Sequence, residues 1–482
     1  MKLYIKNHTF HYEMENLIRL FFPNEKIEVI KENYDILEEP YVYSEVTDKI
    51  YVQVGINGFN KSDSLELVDD EIENERRMAE LIFNFLTEYT GVKQPWGILT
   101  GVRPVKLLRR LMEEEGLINA IEHFRDKFFV TNEKIALAKR TEAFEKEILS
   151  LSDDKSFSLY ISIPFCPTRC KYCSFVMQSI EKTKHLVEPY VELLCKEIEY
   201  TAKIAKSLDL RLETIYMGGG TPTTLSAEQM SKVLGAVNKN FDLSTCREIT
   251  VEAGRPDTIT EAKLISLKEN NVNRISINPQ TLNDSVLEVI GRKHTASETI
   301  EAYKLAQKIG FESINMDLIA GLPTDTYESF VNTLDEVCNL NPECVTVHTL
   351  SMKRSSTLTE EGVTIDKKQS EETAKMLSYT ENKLTENSYI PYYLYRQSRM
   401  AGNLENVGWS KNGLECLYNV FVMDETHTIF GCGAGAVTKL KSPSKDYLER
   451  IFNFKYPYEY IDRFEEMLSR KDSIPEFYKK YF

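Results

Sequence analysis

Three cysteines in the segment LYISIPFCPTRCKYCSF (residues 159–175) are close enough along the chain to bind one metal centre. Cys166, Cys170 and Cys173 follow the spacing C-x₃-C-x₂-C, and the loop between them also carries proline and basic residues. Such a loop cannot be buried as a whole, so inert core cysteines are an improbable explanation. Zinc ligands, iron–sulfur ligands and redox thiols stay open.

The number of thiols bears on these alternatives. A structural zinc site uses four ligands, usually as two separated pairs, and only His185 or Cys195 lies nearby along the chain as a fourth. Three thiolates are also one short of the four that saturate a cubane iron–sulfur cluster. That shortage leaves one iron open to bind a small molecule through nitrogen and oxygen donors.

Short β-rich runs alternate with helical stretches through the middle of the chain. The runs are SLYISIPF, LETIYMGGG, EITVEAG, NRISINPQ, SINMDLIAGLP and CVTVHTLS. Strands separated by helices of this length predict βαβ units and a parallel sheet. A complete barrel has eight units, so six units predict an α/β fold with an open, partial (β/α)6 barrel.

Polar or unusual residues stand at the ends of these strands. The cysteine loop follows the first strand, GGGT (residues 218–221) follows the second, and Glu252, Gln280 and Asp317 end later strands. Chemistry in this architecture gathers on the loops after the carboxyl ends of the strands. The glycines predict backbone amides that approach the polar end of a ligand. Asp317 predicts a ligand contact, because burying a lone carboxylate is costly.

The regions on either side of the barrel have different patterns. Residues 1–150 predict an α+β accessory domain, with a strand in KIYVQVGING and a long helix in DDEIENERRMAELIFNFLTEYTG. The polar run at residues 150–156 is the best candidate linker, so the barrel is assigned to residues 151–355. Residues 356–482 predict a C-terminal α+β extension that closes the open side of the barrel, with antiparallel strands in LYNVFVMD and THTIFGCGAGAVTKL.

Composition excludes several classes of protein. The 482 residues carry a formal net charge of −15, which argues against nucleic acid as the main partner. No stretch approaches the roughly 20 unbroken apolar residues of a membrane span, and the N-terminus has no signal-peptide pattern. Nine cysteines, mostly scattered, argue against a secreted disulfide framework. We therefore expect a cytoplasmic protein.

The cysteine triplet after a first barrel strand resembles the radical S-adenosylmethionine (SAM) superfamily. In that superfamily three cysteines hold a [4Fe–4S] cluster whose open iron binds SAM. The segments LYISIPFCPTRCKYCSF, MGGGTPT, VEAGRPDTIT, RISINPQTLNDSVLEVIGRKHT and MDLIAGLPTDT occur in the order found in the oxygen-independent coproporphyrinogen III oxidase family. The N-terminal region, LTGVRPVKL and GCGAGAV are similar to its HemZ-type branch. The resemblance covers residues 159–352 well and the tail loosely.

The resemblance implies a role for each matching residue. The cluster ligands would be Cys166, Cys170 and Cys173. The SAM contacts would be Tyr160, Tyr172, Gly219, Gly220, Thr221, Glu252, Gln280, Arg292, Asp317 and Ser351. Within this set, Tyr160, Glu252 and Gln280 would have catalytic roles. Arg292, taken alone, could also be a surface cation.

The family's activity is the oxidative decarboxylation of coproporphyrinogen III, in which two propionate side chains become vinyl groups in heme biosynthesis. A substrate with four carboxylates needs cationic partners, since guanidinium groups bind carboxylates at two points. The candidates are Lys353, Arg354, Arg396 and Arg399. The resemblance also implies an electron donor such as flavodoxin or ferredoxin.

Several positions depart from the decarboxylating oxidases. Ser162 replaces the histidine of their HIPFC segment, and Ser174 and Phe175 follow Cys173 where they have a further cysteine. These departures leave open a heme-degrading methyltransferase, a heme chaperone, a non-catalytic tetrapyrrole-binding protein and, without iron, a zinc scaffold. Tyr418 and Asn419 stand where heme chaperones carry an iron-ligating histidine segment, which argues against the chaperone.

Overall fold

The computed structural model describes residues 1–31 and 37–482, and these pack as two units. The first unit contains Met1–Glu142, Val363–Ala374 and Leu394–Glu405, and the second contains Ala143–Gly362, Lys375–Tyr393 and Asn406–Phe482. The division therefore differs from the three consecutive segments predicted, because two stretches of the tail pack with the N-terminal residues. It also falls inside a continuous helix, before the polar run at residues 150–156 that the sequence predicts as a linker.

The first unit is built on a five-stranded sheet in the order β2-β1-β3-β4-β5. Its elements are β1 (Lys2–Lys6), α1 (His11–Phe21), β2 (Glu28–Ile30), β3 (Tyr41–Val46), β4 (Lys49–Ile56), β5 (Phe59–Glu66), α2 (Glu71–Thr90), α3 (Pro104–Glu115), α4 (Leu117–Glu122), a π-helical turn (His123–Lys127) and α5 (Asn132–Leu149). The β1 strand pairs in parallel with β2 and β3, and the β3-β4 and β4-β5 pairs are antiparallel.

The predicted strand and long helix of this unit are confirmed. In β4 the side chains of Ile50, Val52 and Val54 alternate into the core and are fully buried. Asn57 and Gly58, both at positive φ, form the two-residue turn between β4 and β5. The α2 helix begins after the capping side chain of Asp70 and ends at Gly91 in the left-handed conformation.

The second unit contains an eleven-stranded sheet and its flanking helices. Its elements are β6 (Ser156–Ile163), β7 (Phe165–Cys166), β8 (Gln178–Ser179), α6 (Ile180–Ser207), β9 (Arg211–Gly219), α7 (Ala227–Asn240), β10 (Glu248–Glu252), α8 (Glu261–Glu269), β11 (Arg274–Ser276), α9 (Asp284–Val289), α10 (Ala296–Ile309), β12 (Ser313–Ala320), α11 (Tyr327–Leu340), β13 (Cys344–Thr349), α12 (Thr357–Glu360), α13 (Lys367–Glu386), β14 (Ile390–Tyr395), β15 (Asn406–Ser410), α14 (Leu417–Asp424), β16 (Thr428–Cys432), β17 (Val437–Lys441), β18 (Leu448–Phe452), α15 (Pro457–Asp462), α16 (Phe464–Arg470) and α17 (Ile474–Tyr481). The helix α13 and the strand β14 contain residues of both units.

The six predicted barrel strands are confirmed as β6, β9, β10, β11, β12 and β13. They lie side by side in this order and every neighbouring pair is parallel. Helices α6, α7, α8, α10 and α11 lie between them along the chain, as expected for right-handed βαβ units. This arrangement is the predicted partial (β/α)6 barrel.

The tail adds strands to both edges of the six-stranded parallel set. The strand β15 pairs antiparallel with β13, with β14 beyond it, whereas β16 pairs in parallel with β6 and is followed by β17 and β18. The prediction of a strand in LYNVFVMD is wrong, because this segment is the helix α14. A carboxylate distant in sequence caps it: Leu417 N donates to Glu248 Oε2 over 2.8 Å.

Candidate functional site

The cysteine loop begins directly after the first barrel strand. Cys166 lies in β7, which pairs with β8, and both Cys166 and Cys170 are buried, whereas Cys173 is partly buried. The loop is attached to the barrel through Lys171 N, which donates to Ile290 O over 3.0 Å. All nine cysteines lie within the described residues and are free. The three predicted ligands are therefore on one loop and unpaired.

Burial disfavours the thiolate form of two of these cysteines. It raises the pKa of Cys166 to about 12, and the pKa of Cys173 also lies above its usual value because of burial. The neighbouring cysteines add to both shifts. In residues 1–31 and 37–482 no group of three or more His, Cys, Asp or Glu side chains is placed to hold a metal ion.

The glycine segment after β9 packs directly on the first strand. Gly220 N donates to Ile163 O over 2.7 Å and Thr221 N to Phe165 O over 2.8 Å. These two amides are engaged within the protein, contrary to the expectation that they would face a ligand. A Cβ atom on Gly220 would lie 2.5 Å from Phe165 O, so only glycine permits this approach. The Thr221 hydroxyl lies 3.1 Å from Cys166 Sγ and joins the two loops.

Three tyrosine rings stack beside the end of the first strand. Tyr216 lies 4.5 Å from Tyr418 and 6.3 Å from Tyr160 between ring centroids, with interplanar angles of 22° and 20°. The Tyr216 hydroxyl donates to Glu252 Oε1 over 2.7 Å. Sequence reasoning singled out Tyr160 and Glu252 but missed Tyr216 as a site residue. Its position two residues before Gly218 in a strand, and hence on the same face, is the signal that could have found it.

Glu252 is poised between its two protonation states near neutral pH. Burial raises its pKa to about 7, the hydrogen bond from Tyr216 acts in the opposite direction, and the Asp317 carboxylate raises it further. For Asp317 burial also raises the pKa, but hydrogen bonds from His348 and Asn315 outweigh it and leave the pKa below its usual value. Asn315 Nδ2 lies 2.7 Å from Asp317 Oδ1. The two carboxyl groups therefore have pKa values shifted in opposite directions, that of Asp317 downward and that of Glu252 upward.

Gln280 is placed beside Asp317 by the backbone. Its N–H donates to Asp317 O over 2.9 Å, and its φ of 68° is in the left-handed region. The residue is buried, and its Oε1 atom has no hydrogen-bond partner. A buried carbonyl oxygen without a donor is costly, so this oxygen suits a ligand that donates a hydrogen bond.

Arg292 is buried rather than a surface cation. Its Nη2 donates to Gly254 O over 3.2 Å, its Nη1 donates to Asn278 O, and its Nε has no partner. Burial raises the pKa of the Tyr172 hydroxyl, and Arg292 and Cys170 also act on it, which places these three residues together. Ser351 follows β13, and its carbonyl accepts from Lys353 N over 3.0 Å.

The candidate cations for substrate carboxylates differ in what they contact. The Arg396 guanidinium is buried in the first unit, where it donates to Leu99 O over 2.5 Å and to Asn403 O over 3.0 Å. These two bonds hold the guanidinium within that unit, its Nε has no hydrogen-bond partner, and a substrate contact through Arg396 stays a prediction. Lys353 is partly buried, and burial lowers its pKa, whereas Arg354 is exposed. Arg399 has a φ of 60° and lies in the loop after β14.

The three thiols do not form a ready metal-binding group in this structure, but the groups near Cys166 and Cys170 suit sulfur ligands of a cluster. Besides Thr221 at Cys166, the buried Arg255 directs an N–H at Cys170 Sγ over 3.7 Å. Hydrogen-bond donors aimed at sulfur suit an anionic ligand. Sequence reasoning missed Arg255, although it is a cation in the loop that follows a barrel strand.

Among the described residues, no helix is both long enough and apolar enough to cross a bilayer.

Comparisons with known proteins agree with this geometry. The model of the radical SAM superfamily matches residues 160–337. The oxygen-independent coproporphyrinogen-III oxidase-like protein HemZ of Bacillus subtilis is 40% identical over 401 residues, which are 82% of this chain and 79% of that protein. The heme chaperone HemW of the same organism is 33% identical over 314 residues, covering 62% of this chain and 77% of that protein.

The fold is also found in a solved structure. Coproporphyrinogen III oxidase (HemN) from Escherichia coli superposes with a TM-score of 0.54 at 23% identity, covering 68% of this chain and 73% of that chain. The likeness in sequence to HemZ and the shared fold lead to one assignment. The chain belongs to the radical SAM superfamily, whose cofactors are a [4Fe–4S] cluster and SAM, and within it to the HemZ-type branch of the oxygen-independent coproporphyrinogen III oxidase family.

Proposed function

We propose that the protein is a radical SAM oxidoreductase that converts propionate side chains of coproporphyrinogen III to vinyl groups. The extent of the likeness to HemZ carries this proposal. It runs over 401 residues, far beyond the stretch 160–337 that the superfamily model matches. The likeness to HemZ therefore includes sequence outside the barrel. Proteins that share a cofactor-binding fold differ in their substrates, so likeness beyond that fold bears on which substrate is bound.

The cysteine loop would hold the cluster through Cys166, Cys170 and Cys173. The three thiols are free and lie on one loop, with the Thr221 hydroxyl in hydrogen-bond contact with Cys166 and an N–H of Arg255 directed at Cys170. When bound, the cluster and SAM supply a carbon-centred radical that abstracts a hydrogen atom from an unactivated carbon.

The polar strand ends would orient SAM. Gln280 offers a buried oxygen without a partner, and Asp317 offers a carboxylate that stays charged. Arg292 has a buried Nε without a partner. The remaining contacts would come from Tyr160, Tyr172, Gly219, Gly220, Thr221, Glu252 and Ser351. Since the amides of Gly220 and Thr221 are engaged, this segment would meet the SAM amine through carbonyl oxygens.

The tyrosine stack would exclude water on one side of the reacting carbon. Tyr418 is 6% exposed, and its ring covers Tyr216, which in turn holds the partly buried Glu252. A dry site strengthens the electrostatic interactions inside it and protects a reactive intermediate. Lys353 and Arg354 are the candidate partners of the substrate carboxylates. The electron donor would be flavodoxin- or ferredoxin-like, and the location cytoplasmic.

An anaerobic assay tests the proposal. The protein is reconstituted with iron and sulfide and supplied with reductant, SAM and coproporphyrinogen III, and the products are followed by mass spectrometry. We expect 5′-deoxyadenosine together with a porphyrinogen that has lost one or two carboxyl groups. A Cys170→Ala variant should give neither product.

Two outcomes would contradict parts of the proposal. 5′-Deoxyadenosine without a decarboxylated porphyrinogen would keep the radical SAM chemistry and overturn the substrate. A protein that binds SAM and iron but forms no 5′-deoxyadenosine with any porphyrinogen would overturn the oxidoreductase activity.

Heme delivery is a second candidate, favoured by the 33% identity to the chaperone HemW. One residue argues against this candidate. Tyr418 stands at the position where heme chaperones carry an iron-ligating histidine segment, and its ring is buried against Tyr216. We expect heme titrations to give no axial histidine spectrum. A stable histidine-ligated heme complex would favour this candidate.

A further inference from the structure

A buried guanidinium lies against one of the three cysteines of the cysteine loop. Arg255, in the loop after β10, is 3% exposed. Its Nη1 lies 3.1 Å from Thr168 Oγ1 and 3.7 Å from Cys170 Sγ. It thus contacts both the loop that carries the thiols and one of the thiols.

The direction of this contact is set by a carboxylate on the other side of the guanidinium. Asp257 accepts two hydrogen bonds from Arg255, each of 2.9 Å, from Nε to Oδ1 and from Nη2 to Oδ2. Arg255 directly precedes the short 3₁₀ turn Pro256–Thr258, which contains Asp257, and the Thr258 hydroxyl donates to Arg255 O over 2.8 Å. A guanidinium held at two points cannot turn without breaking both bonds, so its Nη1 stays directed at Cys170.

Burial makes the arrangement sensitive to each partner. A buried guanidinium is tolerated only when its charge is compensated and its N–H groups are used. Asp257 compensates the charge, and Thr168 and Cys170 use Nη1. Hydrogen bonds and positive charge near a cluster sulfur stabilise added negative charge, and they are among the factors that set cluster potential.

We propose that Arg255 positions the Cys170 sulfur and favours the one-electron reduced form of the cluster, with Asp257 moderating that effect. The inference concerns the cofactor of the family and does not depend on which substrate the protein takes.

The test is a potentiometric titration of the reconstituted cluster, followed by electron paramagnetic resonance. Dithionite with mediator dyes supplies the single electron. In Arg255→Met we expect the ratio of reduced to oxidised cluster at a given potential to fall about tenfold, a midpoint lower by about 59 mV. In Asp257→Asn the midpoint should rise, because the guanidinium loses its counter-charge but keeps its contact with Cys170.

A second buried arginine of the same unit provides a matched control. Arg274 is 4% exposed and donates to Ser313 Oγ over 2.6 Å and to Leu414 O over 2.8 Å. Arg274→Met should destabilise the fold but leave the midpoint unchanged. Iron content and circular dichroism are measured for every variant.

The midpoint is expected to fall in Arg255→Met and to rise in Asp257→Asn, and a general loss of stability would not give shifts in opposite directions. An unchanged midpoint in Arg255→Met, or shifts in one direction for both Arg255→Met and Asp257→Asn, would overturn the proposal. If Arg255→Met binds no iron while Arg274→Met does, the positioning role is supported. The midpoint of Asp257→Asn then decides the redox role, and a value at or below that of the wild type overturns it.

Discussion

Tyr216 donates a 2.7 Å hydrogen bond to Glu252 and so joins two neighbouring strands of the barrel at the edge where the predicted site residues lie. The hydrogen bond from Tyr216 opposes the effect of burial on the pKa of Glu252. Burial favours the neutral acid, whereas a hydrogen bond from a hydroxyl favours the carboxylate. The balance leaves the pKa of Glu252 at about 7. The charge of this side chain therefore responds to small changes around it.

Removing the Tyr216 hydroxyl should make Glu252 more basic. A hydrogen bond to a charged group contributes about 1.5 kcal/mol or more, and one pKa unit corresponds to about 1.4 kcal/mol. In Tyr216→Phe we expect the pKa of Glu252 to rise by roughly one unit above its value of about 7. The measurement is an infrared titration of the carboxylate band, with Glu252→Gln subtracted as background.

Tyr418→Phe is the control for that experiment. Its ring stacks on Tyr216 at 4.5 Å, so the substitution perturbs the same stack but leaves the Tyr216 hydroxyl in place. The pKa of Glu252 should stay near that of the wild type. An equal shift in both variants would mean that ring packing, and not the hydrogen bond, controls the carboxyl group.

The raised pKa of Glu252 also predicts how stability depends on pH. Its value is about 7 in the folded chain against 4.5 for an unperturbed glutamate. Between these values the unfolded chain binds fewer protons, so the free energy of unfolding falls as pH rises through the window. The full shift would amount to about 3 kcal/mol; because the side chain is partly exposed, we expect about 1 to 2 kcal/mol.

Urea unfolding at several pH values measures this contribution. Glu252→Gln cannot titrate, so its free energy of unfolding should fall less steeply than that of the wild type from pH 5 to pH 8. Parallel pH profiles for the two proteins would show that Glu252 keeps an ordinary pKa in the fold.

The sequence was sufficient for the six barrel strands, because each is a short apolar run with turn residues after it and a helix beyond. The predicted site residues at the strand ends follow from the same pattern. Glu252 does end β10, but Asp317 lies within β12, three residues before its end, and Gln280 follows β11 and lies beside Asp317. What the pattern could not reveal is the left-handed backbone of Gln280, since glutamine has no preference for it.

The features that the sequence did not reveal share a physical cause, which is contact between residues distant in sequence. LYNVFVMD is apolar and rich in strand formers, yet it is a helix whose first amides are capped by Glu248. Arg396 lies in an aromatic and basic segment that resembles a binding surface, but it is buried on Leu99 and Asn403. Such contacts depend on the tertiary fold and leave no local signal.

The close approach of Gly220 to the first strand predicts a loss of cluster binding in Gly220→Ala. The added Cβ would lie 2.5 Å from Phe165 O and 2.8 Å from Ile163 O, and both are backbone atoms that cannot move without shifting Cys166. We expect a reconstituted iron content below half of the wild type and a lower melting temperature. Iron assay and thermal unfolding measure these two quantities.

A glycine on a neighbouring helix provides the opposite case. A Cβ on Gly235 in α7 would meet no atom within 4 Å. Gly235→Ala should keep full iron content and raise stability by about 0.5 to 1 kcal/mol, as expected for alanine in a helix. Normal iron content in Gly220→Ala would show that the first strand can move away from the glycine segment without loss of the site.

A buried ion pair beside the GCGAGAV segment predicts a large effect on stability. Lys471 Nζ lies 2.9 Å from Glu197 Oε1, and both side chains are fully buried. Glu197 also accepts from Gly433 N over 2.7 Å and from the Tyr460 hydroxyl over 2.6 Å. In Lys471→Met the carboxylate loses its counter-charge inside the core, so we expect the free energy of unfolding to fall by about 3 to 5 kcal/mol.

Two further variants test whether the uncompensated buried charge, and not a general effect on the helix that carries Glu197, causes the loss of stability. Lys203→Met removes an exposed partner of Glu199 on the same helix α6 and should leave the urea midpoint unchanged. The double variant Lys471→Met with Glu197→Gln removes both charges but keeps an acceptor for Gly433, so it should recover part of the stability lost in Lys471→Met. If the double variant has a lower free energy of unfolding than Lys471→Met, the uncompensated carboxylate is not the cause of the loss. In that case the packing of the lysine side chain would be what stabilises this part of the fold.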